Sequence, residues 1–152
     1  MNQRNSILVI ISVILFVILI AGCVADGKPY AKDMLIKNIS GVWRNFQYTG
    51  SDIPAKRIVQ PDGTITVYDA IDSMTPVQTG KLTIKKAWSD SSGIIWFKSV
   101  VSFEASDAVT YELCRLKSDN EQIDILFAFD RFPKEWDPVR YSHCFYYHIS
   151  DI

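Results

Sequence analysis

From Gln122 to Phe129 the chain alternates residue by residue, with Ile123, Ile125, Phe127 and Phe129 on one parity and Gln122, Asp124 and Asp130 on the other. A period of two fits a β-strand with one face on a core and the other in water, and it fits no helix. Similar runs recur along most of the chain. Gly41 to Tyr48 sets Val42, Phe46 and Tyr48 against Trp43, and Ala55 to Gln60 and Thr64 to Tyr68 flank Pro61-Asp62-Gly63, the residues of a tight hairpin turn. Gly80 to Trp88 puts Leu82, Ile84 and Trp88 on one face and Lys81, Thr83 and Lys85 on the other. Ile94 to Glu104 carries Ile95, Phe97, Val101 and Phe103 on one parity, Val109 to Leu116 sets Tyr111 and Leu113 against Glu112, and Tyr141 to Ile149 carries Phe145 and Tyr147. Short polar turns such as residues 89–93 and 117–121 join them. A short helix over Asp33 to Ile39, with Met34, Leu35 and Ile39 on one side, precedes the first strand and stops at Ser40-Gly41. Eight antiparallel strands behind one short helix make an all-β fold. They can close as an up-and-down barrel whose interior just holds side chains or one small ligand, while a β-sandwich would present the same alternation.

The amino-terminal segment belongs to no such fold. Ile7 to Ala21 is apolar apart from Ser12 and follows Arg4, the make-up of a secretory h-region and shorter than the roughly 20 residues of a spanning helix. Directly after it stands Ile20-Ala21-Gly22-Cys23, which resembles the lipobox of bacterial lipoproteins. The resemblance implies removal of residues 1–22, a diacylglycerol on the Cys23 thiol and acylation of the new amino terminus, hence a stable lipid anchor. It places the protein in a bacterial cell envelope, and Val24 in the second mature position favours the outer membrane if the organism is Gram-negative. Residues 23–32 then read as a polar tether and residues 33–152 as the barrel domain.

Gly41-Val42-Trp43, at the start of the first strand and after the helix, resembles the G-x-W motif of lipocalins and other calycins. That resemblance implies a tryptophan packed across the closed end of an up-and-down barrel. The basic residue expected near the family's last strand falls on Arg140, and no helix follows the last strand, so the likeness is to a lipocalin-like barrel within a small lipoprotein. In such a barrel Trp43, Trp88, Phe97, Phe103, Phe127 and Tyr147 are candidate ligand-contacting residues, forming a wall for an acyl chain or a flat hydrophobe, and the same set is what a filled core requires. Lys86, Asp69 and Ser99 interrupt the inward parity and are expected at the mouth or beside a polar ligand group. Residues 130–140 form a long proline-stiffened connection whose Phe132 and Trp136 either plug one end of the barrel or meet a partner.

Cys114 and Cys144 remain in a compartment that permits disulfides. In a meander, however, the strand from Gln122 lies between them, about twice the ~4.8 Å strand spacing and beyond the ~7 Å Cα limit of a bridge. A bridge would require these two strands to be neighbours. His143 and His148 point to opposite faces of one strand and cannot share a metal, so no metal or cofactor is expected. None of the common nucleophile, zinc or phosphate-loop motifs occurs, and a non-enzymatic role is expected. A net charge of −1 with no basic run longer than Lys85-Lys86 argues against nucleic acid. Two roles fit: a membrane-anchored module binding a small hydrophobic ligand, or a protein-interaction lipoprotein, such as an assembly factor or an inhibitor of a secreted hydrolase, built on a filled barrel.

Overall fold

A computed structural model describes residues 27–45 and 53–152. Cys23, the leader before it, and Phe46 and Tyr48 of the first expected strand lie outside the described residues. Nine strands and one helix follow in the order β1 (Lys28–Pro29), α1 (Lys32–Ile39), β2 (Gly41–Arg44), β3 (Lys56–Val59), β4 (Thr64–Tyr68), β5 (Gln78–Ser89), β6 (Ile95–Phe103), β7 (Val109–Leu116), β8 (Gln122–Ala128) and β9 (Ser142–Ser150). From β2 to β9 each strand pairs antiparallel with the next, and β9 returns to pair with β2, so the sheet closes as an eight-stranded up-and-down barrel and not as a sandwich. The two-residue β1 pairs beside the far half of β5, Lys28 opposite Ser89 and Pro29 opposite Trp88, where the short β4 no longer reaches. Among the described residues no helix is long and apolar enough to cross a membrane.

The turns follow from their residues. In the β3–β4 hairpin Gly63 adopts φ 86°, a left-handed conformation that costs glycine little, and its N–H donates to the Gln60 carbonyl at 2.9 Å. Asp62 accepts from the Thr64 N–H at 2.8 Å and locks the loop. The β5–β6 turn repeats this device with Asp90 and Gly93.

Closing the barrel at one end is α1. Leu35 and Ile39, one turn apart, are fully buried against the interior, whereas Met34 turns outward and is exposed, contrary to the expected helical face. Trp43 is fully buried beneath them, its indole N–H donating to the Ile39 carbonyl at 2.8 Å. This is the closed-end position that the G-x-W resemblance implied, and it satisfies a carbonyl that the last turn of a helix leaves open. Inward residues of β3 to β9 complete the core, among them Val59, Ile65, Leu82, Phe97, Val101, Leu116, Ile125 and Tyr146.

Sequence expectations of facing are reversed in β5 and β9, and also in β7, where Glu112 and Cys114 point inward and Tyr111 and Leu113 outward. In β5 the register advances from Ile84 opposite Ser99 to Lys86 opposite Lys98, so Lys85 is the extra residue of a β-bulge. Beyond it the parity flips: Ala87 points inward with Phe97, and Trp88 points outward with Trp96. In β9 the buried residues are Cys144 and Tyr146, while Tyr147 is outward and 37% exposed. Lys86, expected inward, also lies on the exposed side of the bulge.

Candidate functional site

Among the described residues the barrel opens at the end opposite α1. There a cavity of about 190 Å³ is bounded by Val101, Phe103, Phe127, Phe129, Arg57 and Glu112 among others. Its apolar sides follow from the inward parities of β6 and β8. Its polar floor comes from β3 and β7, where Arg57 shares a parity with the buried Ala55 and Val59, and Glu112 shares one with Cys114 and Leu116.

Across the interior the Arg57 Nη2 donates to Glu112 Oε1 at 3.2 Å, with side chains only 11% and 3% exposed. The second carboxylate oxygen, Oε2, accepts from the Ser99 hydroxyl at 2.8 Å, with the Cys114 sulfur 3.9 Å away. The Arg57 guanidinium lies 4.7 Å from the centroid of the Tyr146 ring, and the Tyr146 hydroxyl donates to the Pro54 carbonyl at 2.8 Å. Among the described residues the Nε–H of Arg57 is buried without an acceptor, in a residue that lines the cavity.

Burial is the largest single influence on Arg57 and opposes its charge, but Glu112, joined by Tyr146, Cys144 and Cys114, together outweighs that penalty, so its pKa is raised and the guanidinium is fixed as a cation. Burial is the largest influence on the acidic groups around it, ahead of the opposing Arg57 charge. It pushes the Cys144 thiol up to about 12, carries Cys114 well above an ordinary thiol, and raises the Tyr146 phenol. Both cysteines are free, as expected from their separation by β8: Cys114 stands opposite Ile125, and Ile125 opposite Cys144. A buried neutral thiol is a poor nucleophile, which removes both from any covalent chemistry at neutral pH.

Comparison with protein-family models, with curated proteins and with solved structures returned no match. Function is therefore argued from the site itself.

The residues singled out from sequence separate into three places. Phe103 and Phe127 line the cavity. Phe97 and Trp43 are packed solid in the core, Trp43 also against the His148 ring at 4.9 Å. Trp88 and Tyr147 lie on the outer surface and cannot touch an interior ligand. The 130–140 loop does not plug the barrel. It lies along the outer wall, where Phe132 meets the Tyr111 ring at 5.2 Å, Trp136 meets Trp96 at 5.5 Å and His143 at 5.8 Å, and the Arg115 guanidinium sits 4.2 Å from the Trp136 ring. Leu113 and Leu126, cross-strand neighbours facing outward, are buried under this layer together with Pro133. Of the three polar interruptions only Ser99 is interior, and Asp69 is exposed just beyond β4 at the mouth. Arg57 and Glu112, which carry the polar floor, were not among the expected site residues. Arg57 interrupts the Ala55 and Val59 parity and was open to detection; Glu112 was assigned to water because Tyr111 and Leu113 looked like the inward pair. Among the described residues no group of three His, Cys, Asp or Glu side chains is placed to hold a metal.

Proposed function

We propose that the chain is a lipid-anchored, lipocalin-like binding module of the bacterial envelope, non-enzymatic, that takes a compact and mostly apolar ligand into the barrel mouth. The observation that carries this reading is the cavity itself: apolar walls of Phe103, Phe127 and Val101 around a fixed cation whose Nε–H lacks an acceptor. A buried donor without a partner costs about 1–3 kcal/mol, and a carbonyl or carboxylate oxygen of a ligand would recover it. The volume of about 190 Å³ is below the 300–1,000 Å³ usual for drug-sized ligands. It suits a short acyl group or a single ring better than a phospholipid. The anchor is Cys23, and the lipobox flanks support it.

Native mass spectrometry of the full chain purified from a bacterial host, before and after organic extraction, tests the reading. An extractable adduct of small mass, or saturable uptake of short-chain fatty acids, is the expected result. A mass that stays bare after incubation with those acids overturns the carrier role.

A further inference from the structure

A second concave surface lies outside the barrel, on the wall made by β1, β5 and β6 and the 130–140 loop. It is a groove of about 1130 Å³ whose lining includes Trp88, Trp96, Trp136, Lys28, Lys86 and Lys98. The Trp88 and Trp96 rings stack at 6.4 Å with planes 10° apart, and Trp136 stands edge-on to Trp96. All three are part-exposed. The Lys86 ammonium lies 5.4 Å from the Trp88 ring centroid, and Lys134 adds a fourth cation to the rim. Two acidic residues share the groove, Asp90 and Glu135. Asp90 is already committed, accepting from the Ser92 hydroxyl at 2.6 Å and from the Trp96 indole N–H at 2.8 Å. The balance of the groove is positive in a protein whose net charge is −1.

We propose that this wall is the face on which the anchored barrel rests against an anionic lipid bilayer. The proposal rests on Cys23 carrying the anchor. Its physical basis is the length of chain between that residue and the groove. Gly27 and Lys28 are themselves part of the lining, and an extended chain spans at most about 3.6 Å per residue, so Cys23 lies within roughly 14 Å of the groove whatever path residues 24–26 take. The exit of the tether is held in place, because β1 pairs with Ser89 and Trp88 and the Tyr30 N–H donates to the Ala87 carbonyl at 3.1 Å. Acyl chains on Cys23 therefore bring the tryptophan wall to the headgroup layer. Tryptophan and lysine suit that layer, the indole by its amphipathic ring and the lysine by a long apolar stem with a charged tip. Basic side chains near an anionic surface are drawn to it within a Debye length.

Quenching of tryptophan emission by brominated lipids tests the contact. The full lipidated chain is reconstituted into vesicles of brominated phosphatidylglycerol or brominated phosphatidylcholine, and its intact mass is measured alongside. Expected are a lipidated mass, strong quenching in phosphatidylglycerol that weakens with added salt, and Trp43 as the unquenched remainder. The Lys86→Gln/Lys98→Gln variant should lower the contact equilibrium constant by about 25-fold, at roughly fivefold per lysine neutralised at an anionic surface. Salt dependence in the unsubstituted chain carries the same test should that variant fold poorly. A lipidated mass with no quenching overturns the resting face and leaves the anchor intact. Equal, salt-insensitive quenching in both lipids overturns the anionic preference on which the proposal stands. An unmodified mass overturns both anchor and resting face, and the wall would then belong to a protein partner.

Discussion

Replacing Glu112 by Gln isolates the interior ion pair as a source of stability. The substitution keeps the shape and an oxygen for the Ser99 hydroxyl, now 2.8 Å from Oε2, but removes the negative charge 3.2 Å from Arg57 Nη2. Arg57 is buried, and burial is offset by Glu112 together with the smaller contributions of Tyr146, Cys144 and Cys114; without the carboxylate the cation remains, since a guanidinium does not deprotonate in a protein. Breaking a buried pair from one side costs about 3–5 kcal/mol, against a total of about 5–15 kcal/mol for a domain. For a barrel of this size that corresponds to a fall in Tm of roughly 10–20 °C. Urea unfolding followed by tryptophan emission measures it, with an unchanged m-value showing that both proteins unfold as one unit. The companion double variant Arg57→Met/Glu112→Leu removes both charges and should return most of the loss, because an apolar pair of similar volume is often as stable as the ions. If Glu112→Gln stays within about 1 kcal/mol of the parent, the reasoning is refuted: the guanidinium would then be solvated through the mouth, and the floor of the cavity would be wet.

Three further outcomes follow from local geometry. Alkylation by iodoacetamide near pH 8 should leave Cys114 and Cys144 unmodified in the folded protein and label both in urea, since burial holds Cys144 up to about 12 and Cys114 well above its ordinary value; rapid labelling of the native protein would contradict the buried placement. Gly80→Ala should destabilise by about 1–3 kcal/mol in urea titration, because a Cβ there collides with the Ser102 carbonyl oxygen and meets the Phe103 Cα at 2.9 Å, both backbone atoms that cannot step aside; a neutral result would mean that β5 and β6 separate easily. Asp90 is held down to about 2 by hydrogen bonds from Ser92 and Trp96, so its contribution is complete above the ordinary carboxylate pKa near 4 and is lost as pH falls towards 2. Asp90→Asn should flatten the acid limb of Trp96 emission between those values, and an unaltered limb would remove Asp90 as its cause.

Legibility in the sequence depended on whether each outer face met water. The β4 and β7 boundaries, the Pro61-Asp62-Gly63 hairpin and the count of eight barrel strands were readable, because turn residues punctuate the chain at each reversal, whereas β1 falls in the segment read as a tether. Facing was readable in β6 and β8, where Phe97, Val101, Ile123 and Ile125 point inward as expected. It failed in β7 and β9 for one shared reason. The 130–140 loop adds a second apolar layer outside the barrel, so Tyr111, Leu113, His143 and Phe145 are outward and still partly or wholly covered. With apolar residues on both parities, period two says strand without saying which side is in. In β5 the failure was different: one inserted residue, Lys85, sent Trp88 to the surface, and a bulge leaves no mark in composition. Arg57 and Glu112 meet across 55 residues of sequence, a distance at which no local pattern operates.

These same features give the barrel its direction. The chain enters beside Trp88, crosses one end as α1 and buries Leu35, Ile39 and Trp43 there, so the end nearest the tether is filled. Every residue lining the cavity that belongs to β5, β6, β7 or β8 comes from the strand half remote from that end: Gln78, Val101 and Phe103, Thr110 and Glu112, and Phe127. A barrel anchored through Cys23 therefore has its mouth at the end remote from the tether, and resting on its side wall leaves that mouth clear of the lipid. The ligand would enter from the aqueous phase, which agrees with a small cavity floored by a cation and disfavours extraction of whole lipids from the bilayer beneath. Exchange measurements between vesicles and protein should accordingly show short-chain acids reaching the cavity at the same rate from solution whether or not vesicles are present, and a rate that rises with vesicle concentration would reverse this orientation.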